Sequence, residues 1–235
     1  KKEVLLQSKL RQEIHSIKKR EFKKDNKNLI PFGFKVFSQT DEDGIINEIF
    51  NRIGTTNKQF LEFGVNSEFN NTTYLLMKGW KGVWLESSGW KFINIKKKYS
   101  SSIINGSLKL YKKRITVENV NKEIKSLNLN KFIDLLSLDI DGNELYVLNK
   151  LKTIRPRVIV VEYNAKFPPP IRKCIKYDPK FIWKYDDYFG TSLQLLADNL
   201  KNFGYVLVGC NILGVNAFFI KKKLVQNKFS KNMDF

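Results

Sequence analysis

Two acidic residues, one position apart, follow an apolar run near the middle of the chain. The segment LLSLDIDGNELYVL covers residues 135–148 and places Asp139 and Asp141 directly after that run. The pattern predicts a buried strand that delivers carboxylates to the edge of a sheet, and ligands bind beyond the carboxyl ends of such strands. We therefore expect Asp139 at a reaction centre. Asp141 and Glu144 also have capping-box spacing, so helix capping stays open as the role of Asp141.

The surrounding chain alternates strand-like and helix-like segments, as βαβ units do. Strands are predicted at 59–65, 82–86, 102–105, 133–139 and 157–163, followed by an antiparallel pair at 205–210 and 215–220. Helices are predicted at 71–78, 88–98, 120–127, 142–151 and 192–203, the last with a capping box at Thr191, and a helix capped by Thr40 precedes the first strand. The predicted fold is α/β, with five parallel strands, an antiparallel terminal pair and helices on both faces.

Composition indicates one globular domain, because 235 residues that are 42% hydrophobic can bury one substantial core. We expect a charged N-terminal helix or linker at 1–30, the main domain at 31–225 and a short tail at 226–235. The N-terminal helix carries one apolar stripe, which predicts docking on this domain or on a neighbouring domain or subunit. The stripe consists of Leu6, Leu10, Ile14 and Ile17.

The net charge of +19 would attract nucleic acid, anionic membranes or phosphorylated substrates. Solvated lysine-rich surfaces account for such a charge equally well, so charge alone names no partner. No apolar run approaches the ~20 residues of a membrane span, and the N-terminus has no signal-peptide pattern. Two cysteines are too few for a disulfide framework, and a cytoplasmic protein is the expectation.

The order of elements resembles the Rossmann-like sheet of class I methyltransferases that use S-adenosylmethionine (SAM). Six segments narrow the resemblance to the FkbM-type methyltransferases over most of residues 38–220. They are SQTDEDGIINEIFNRIG, FLEFGVN, NNTTYLLMKGWKGVWLE, LLSLDIDGNELYVL, PRVIVVEYN and GYVLVGCNILGVNAFFI. The resemblance implies SAM as cofactor and methyl transfer to an oxygen of a sugar or another glycan-type acceptor.

The resemblance also implies a set of cofactor-binding positions. Glu62 would orient the methionine part of SAM, and Gly64 would let the backbone approach the cofactor closely. Glu86, at the end of the second strand, would accept hydrogen bonds from the ribose hydroxyls. The remaining positions are Asn66, Thr72, Ser87 and Asn105, the last of which would end the third strand beside the adenine.

A sugar hydroxyl needs a base or a metal to take its proton near neutral pH. The only histidine, His15, lies on the N-terminal helix, which leaves Asp, Glu, Lys or Tyr as the base. The ends of the fourth and fifth strands supply the best cluster, so Asp139, Asp141 and Glu162 are the predicted catalytic residues. Three close carboxylates raise one another's pKa unless a cation lies among them. Metal-dependent catechol-type O-methyltransferases have acids and an asparagine at these strand ends. Asp139, Glu162 and Asn164 are similar in placement, which implies a divalent cation such as Mg²⁺ or Mn²⁺.

The insertion at 165–190 is long for a connector, and its aromatic side chains predict either a cover for an acceptor pocket or a small satellite core. Two other functions stay open. The charge favours an RNA methyltransferase, although LDIDG differs from the Asn/Asp-Pro-Pro-aromatic motif for flipped bases. The fold could also serve a non-catalytic binding module. A dehydrogenase is disfavoured because no G-x-G-x-x-G follows the first strand.

Overall fold

The computed structural model describes residues 2–230, with side chains from Leu6 onward. Within this range the strands are β1 Gln59–Phe63, β2 Lys81–Glu86, β3 Leu108–Lys112, β4 Leu135–Leu138, β5 Val158–Glu162, β6 Tyr205–Cys210 and β7 Asn216–Lys221. The helices are α1 Lys2–Lys24, α2 Glu42–Ile53, α3 Thr73–Met77, α4 Gly89–Lys98, α5 Ser100–Ile104, α6 Val120–Ser126, α7 Glu144–Lys150, α8 Leu193–Asn202 and α9 Lys222–Val225, with a 3₁₀ turn at Ile30–Phe32. Residue 1 of the predicted N-terminal segment and residues 231–235 of the predicted tail lie outside the described residues.

The seven strands form one sheet in the order β3-β2-β1-β4-β5-β7-β6. Strands β1 to β5 are parallel, and β7 runs antiparallel between β5 and β6. The predicted α/β fold with five parallel strands and an antiparallel pair is therefore confirmed. The chain reverses its direction of travel across the sheet between β1 and β4, which opens a crevice at the carboxyl edge of these strands.

Helices cover both faces of the sheet, and side chains alternate between the two layers along each strand. Leu136, Val161 and Phe219 pack in one core with α6, α7 and α8. Val160 and Phe218 pack in the other core, with α2, α3 and α4. Because of this alternation, the polar residues that follow at the ends of β4 and β5 face the α2 layer.

The predicted third strand at 102–105 is wrong, because Ser100–Ile104 forms helix α5 and β3 lies at Leu108–Lys112. The pair of isoleucines in SSSIING imitates a short strand, although Ile104 is exposed. Gly106 then turns the chain at a φ of 74°. In β3, an edge strand, Lys109 and Lys112 interrupt the apolar residues, and that weak pattern hides the strand in the sequence.

The predicted caps of three helices are also wrong. Helix α2 begins after Asp41 rather than Thr40, and α7 begins after Asn143 rather than Asp141. Helix α8 begins after Ser192 rather than Thr191. None of these three N-cap side chains bonds to the helix backbone. The side chains near these starts instead bond to other elements, because the carboxyl edge of the sheet supplies competing partners.

Helix α1 contacts the domain only through its C-terminal half. Leu6 and Leu10 of the predicted stripe are exposed, whereas Ile17 is half-buried. Lys18 Nζ donates to the carbonyl of Gly33 at 2.5 Å. At the other end of the described chain, Phe229 is buried in the α2-side core. Among the described residues, no helix has the length and apolar character needed to cross a membrane.

Candidate active site

Four residues form a row across the carboxyl edge of the sheet. The register pairs Phe63 with Leu138 and Leu138 with Val161. The next residues along these strands are Gly64, Asp139 and Glu162, and Glu162 pairs directly with Asn216 of β7. The ends of β1, β4, β5 and β7 therefore present one glycine, two acids and one amide side by side.

The structure brings together the three acids that the sequence predicted as catalytic. One carboxylate oxygen from each of Asp139, Asp141 and Glu162 lies within 4.8 Å of the other two. All three side chains keep partial contact with solvent, and Glu162 Oε2 has no hydrogen-bond partner. Glu162 therefore offers one acceptor atom without a partner within this cluster.

Burial raises the pKa of all three acids, and mutual repulsion adds to this effect for Asp139 and Glu162. Burial raises the pKa of Asp139 well above its usual range, and the charges of Asp141 and Glu144 raise it further. The pKa of Glu162 is raised by burial and then by the charge of Asp139. Burial also raises the pKa of Asp141, against a lowering effect of the Lys91 ammonium. A cation or a substrate proton would relieve this repulsion.

Glu144, which the sequence suggested only as a capping partner, holds the loop that carries the acids. It is fully buried, and its Oε1 accepts hydrogen bonds from the backbone N–H groups of Ile140 and Gly142, each at 2.9 Å. These two groups flank Asp141, whose φ of 63° is uncommon for a non-glycine residue. Glu144 thus fixes the backbone on both sides of Asp141, so that the Asp141 side chain lies near Asp139. Glu144 does this by hydrogen bonds to the loop before α7 and not by capping a helix.

The side-chain amide of Asn164 hydrogen-bonds to the insertion, which differs from its predicted role as a metal ligand. Its Nδ2 donates to the carbonyls of Asp187 and Phe189 at 3.0 Å, and its Oδ1 accepts from the N–H of Lys166. The side chain is fully buried. Of the three predicted ligands, Asp139 and Glu162 lie together with Asp141, whereas the side chain of Asn164 bonds to the insertion.

Two of the predicted cofactor positions are open to solvent and one adjoins them. Gly64 and Ser87 are exposed, at the ends of β1 and β2. Gly64 has a φ of 75°, and a Cβ there would lie 1.4 Å from the carbonyl oxygen of Asp139, so only glycine fits. Glu86 is mostly buried, and its Oε1 accepts from the N–H of Ser88 at 2.6 Å.

Three other predicted cofactor positions serve the protein interior. Both oxygens of Glu62 accept bonds from the 71–72 turn, and Oε1 also accepts from Ser137. Thr72 is fully buried between Glu62 and Trp84. Asn66 Oδ1 accepts from the N–H groups of residues 68 and 69. These side chains shape the turn after β1 rather than offering free atoms to a ligand.

Asn105 is placed at the wrong edge of the sheet by the mistaken third strand. It follows α5 and precedes β3, whose first residue, Leu108, pairs with Gly82 near the start of β2. Its Oδ1 accepts from the N–H of Ser107. Asn105 therefore lies at the amino edge of the sheet. Residues 113–115, which follow β3, lie at the carboxyl edge, the same edge as the acid cluster.

A second buried acid was missed by the sequence interpretation. Glu42 is fully buried, and its Oε1 accepts from the side-chain amides of Asn211 and Asn216 at 3.0 and 3.1 Å. Thr40 donates to the same carboxylate through its hydroxyl and its N–H. This network ties the segment before α2 to the β6–β7 hairpin beside Glu162. The acids in SQTDED lie near a predicted helix start in the sequence, and only the fold brings Glu42 to the hairpin.

The insertion lies over the acid-bearing loop. Phe181 packs against Gly142, since a Cβ on Gly142 would lie 2.6 Å from Phe181 Cδ1. Asn143 Nδ2 donates to the carbonyl of Asp178, and Arg114 donates to the carbonyl of Phe181. The insertion thus packs on the acid-bearing loop, and its aromatic side chains pack on one another. Its role as a cover for an acceptor pocket stays a prediction.

Comparison with known proteins decides the family. Residues 40–207 match the family model described as the methyltransferase FkbM domain, which is more than half of the chain. The chain belongs to the FkbM methyltransferase family. The matched range contains all five parallel strands and the acid cluster. No curated protein matches the sequence.

Solved structures share the fold of this FkbM methyltransferase at low sequence identity. The O-methyltransferase from Bacillus cereus in complex with SAH superposes with a TM-score of 0.50 and 14% identity, over 89% of this chain and 88% of that one. The METTL16 MTase domain has a TM-score of 0.47 and 15% identity, over 75% of this chain and 65% of that one. The chain thus spans slightly less than two thirds of the METTL16 domain. The similarity to the Bacillus cereus enzyme shows that the two chains share a fold.

The buried acids predict that the free protein loses stability as pH rises. Burial raises the pKa of Glu144 to about 7, above an unfolded value near 4.5. Its stabilising contribution is complete below pH 4.5 and is lost as pH rises through 7, by up to about 3 kcal/mol. In Glu144→Gln the amide oxygen can accept both backbone bonds without ionising. We expect this variant to match the wild type at pH 4.5 and to exceed its unfolding free energy at pH 8, measured by urea denaturation. Equal pH slopes for both proteins would contradict the prediction.

Proposed function

We propose that this FkbM methyltransferase transfers a methyl group from SAM to a hydroxyl oxygen of a sugar or glycan, with a divalent cation held by Asp139, Asp141 and Glu162. The observation that carries the proposal is the convergence of these three carboxylates within 4.8 Å at the carboxyl edge of a class I methyltransferase sheet. Such a cluster suits a reaction that must remove a proton from a weakly acidic hydroxyl.

The residues at the ends of β1 and β2 fit SAM. Gly64 is exposed at the end of β1, so its backbone is open to a bound cofactor, and we call this position the cradle. The carbonyl of Asp139 fills the side on which a Cβ would lie. Glu86 at the end of β2 is suited to accept hydrogen bonds from ribose hydroxyls, with the exposed Ser87 beside it. When bound, SAM would supply a methyl group on a sulfonium, a good leaving group for in-line displacement.

Asp139 is the residue we assign to proton removal. It lies between Gly64 on the cofactor side and Glu162 on the acceptor side of the row, so it can reach a hydroxyl that faces the cofactor cradle. Its raised pKa makes it a better base than an ordinary aspartate. In the balanced reaction the hydroxyl proton passes to the carboxylate, the O–C bond forms, and the S–C bond breaks to leave a neutral thioether. Much of the acceleration comes from holding the two reactants in register.

The carboxylate cluster also fits a hard divalent cation, because three oxygen donors of net negative charge are the ligands that Mg²⁺ and Mn²⁺ prefer. A cation there would offset the mutual repulsion that adds to the raised pKa values of Asp139 and Glu162, and it would lower the pKa of a nearby hydroxyl. Glu162 Oε2, which lacks a partner, is the donor most clearly free for this purpose.

Cation binding is expected to raise thermal stability even without substrate. At a hundredfold excess over Kd, MgCl₂ or MnCl₂ should raise the Tm by about 5–10 °C, and Asp141→Asn should remove most of this shift. Differential scanning fluorimetry measures it, with Glu68→Gln as an exposed matched control. Turnover of a glycan acceptor with labelled SAM should fall on addition of EDTA and return with Mg²⁺. If neither cation changes the Tm and EDTA does not change turnover, the cation is excluded and Asp139 acts as the base without a metal.

The same assay separates sugar and RNA acceptors. Label transfer to a neutral glycan that is insensitive to salt supports the proposal. Transfer only to RNA, falling steeply with salt concentration, would replace the glycan by nucleic acid as the acceptor.

A further inference from the structure

Five aromatic residues lie within nine positions of the insertion, and we call residues 181–189 the aromatic platform. The Trp183 ring centroid lies 4.9 Å from that of Tyr185 and 5.4 Å from that of Phe189. Phe181 and Tyr188 form a second pair at 6.2 Å. The rings within each group are tilted rather than stacked, so they form an uneven aromatic surface.

Much of the platform faces solvent. Tyr185 is 87% exposed, Ile182 72% and Tyr188 54%. Leaving such large apolar surfaces in water forgoes burial free energy, and exposed apolar patches mark binding sites. Tyr185 also has a φ of 63°, a conformation rare for a bulky residue and typical of ligand-holding segments. Exposure and backbone conformation together indicate a surface retained for a ligand.

The platform is attached to the loops that follow both acid-bearing strands. Asn164, two residues after Glu162, donates to the carbonyls of Asp187 and Phe189. Phe181 packs on Gly142, the neighbour of Asp141. A ligand on the platform would therefore lie beside the carboxylate cluster and not at a remote surface.

The local charge indicates what the ligand is. The platform holds Asp186 and Asp187 against Lys184, and Lys166 pairs with Asp187 at 3.4 Å, so the platform is charge-balanced in a chain of net charge +19. Three further carboxylates lie in the neighbouring cluster. This surface lacks the excess of cations that would attract phosphates, whereas the C–H face of a neutral pyranose packs on an aromatic ring and its hydroxyls donate to carboxylates.

We propose that the aromatic platform is the acceptor-binding subsite and that it binds neutral oligosaccharides, with Tyr185 and Trp183 as the stacking surface. The inference rests on the proposed function and names its acceptor class: an uncharged glycan rather than a sugar phosphate, a nucleotide sugar or a nucleic acid. Asn164 is then a positioning residue that holds the platform over Glu162.

The test is a printed array of neutral, sulfated and phosphorylated glycans, with poly(U) RNA as a separate probe. Neutral glycans should bind the wild-type protein, and Tyr185→Ala should weaken their Kd by at least about tenfold. Tyr185→Phe, which keeps the ring, and Phe132→Ala, an exposed aromatic before β4 at the opposite edge, should bind like the wild type. Binding of no neutral glycan, binding only of anionic glycans or poly(U), or binding unchanged in Tyr185→Ala would each overturn the inference.

Methyl-transfer kinetics distinguish this inference from the proposed function. On a glycan that binds, Tyr185→Ala should raise KM and leave kcat unchanged, because the ring contributes equally to ground-state and transition-state binding. A glycan that binds through Tyr185 without being methylated would refute the proposed function and leave the subsite standing. Methyl transfer to glycans with an unchanged KM in Tyr185→Ala would refute the subsite and leave the function standing.

Discussion

Replacing Asp139 by asparagine is expected to abolish most methyl transfer while leaving the free protein as stable as before, or more so. The asparagine keeps the shape of the side chain but cannot accept the hydroxyl proton, and loss of a general base lowers kcat by about 10²–10⁴. Stability should not fall, because burial and the charges of Asp141 and Glu144 oppose ionisation of Asp139 in the folded state. A neutral residue there removes repulsion that the native cluster tolerates.

The measurement combines kcat with labelled SAM and the free energy of unfolding at pH 8. Asp141→Asn is the graded comparison, since burial alone raises its pKa and Lys91 opposes the shift. Glu68→Gln, an exposed acid in the loop after β1, is the neutral control for activity and stability. Normal turnover in Asp139→Asn would show that the base lies elsewhere, and a large loss of stability would show that the charge serves the fold.

Replacing Gly64 by alanine is expected to destabilise the protein by on the order of 4 kcal/mol or more. Two separate effects contribute. The φ of 75° is unfavourable for any side chain, and the new Cβ would lie 1.4 Å from the carbonyl oxygen of Asp139. Strands β1 and β4 cannot separate freely, because the N–H of Asp139 donates to the carbonyl of Phe63 at 3.2 Å.

Gly106→Ala is the matched control, because Gly106 has a φ of 74° and nothing within 4 Å of an added Cβ. It carries the backbone cost alone, about 1–2 kcal/mol. Urea denaturation of both variants isolates the cost of the close approach, and SAM titration of any folded Gly64→Ala protein measures the damage to the cradle. If the two variants lose equal stability, β1 and β4 are not held together as tightly as the structure indicates.

Local sequence patterns were enough to predict much of the fold. Buried parallel strands have continuous apolar runs, so β1, β4 and β5 could be located from residues 59–63, 135–138 and 158–162 alone. The edge strand β3 could not be located in this way, because the lysines in LKLYK resemble those of a solvated loop. The segment SSSII, in contrast, resembles a strand although it forms a helix. Asp139 and Glu162 could also be placed from the sequence, because parallel strands end at the same edge of a sheet.

The partners of those acids depended on tertiary structure. Asp141 faces the cluster because Glu144 holds the neighbouring backbone, and a φ of 63° cannot be read from an aspartate in a sequence. Asn164 lies two residues after Glu162, where a metal ligand was predicted. Its amide instead bonds to the carbonyls of Asp187 and Phe189 in the insertion, which lie 23 and 25 positions later in the chain. Sequence by itself determined which strands end in acids, because burial and strand periodicity are local. Only the tertiary structure decided where each polar side chain points, because that depends on turns and long-range hydrogen bonds that no local pattern encodes.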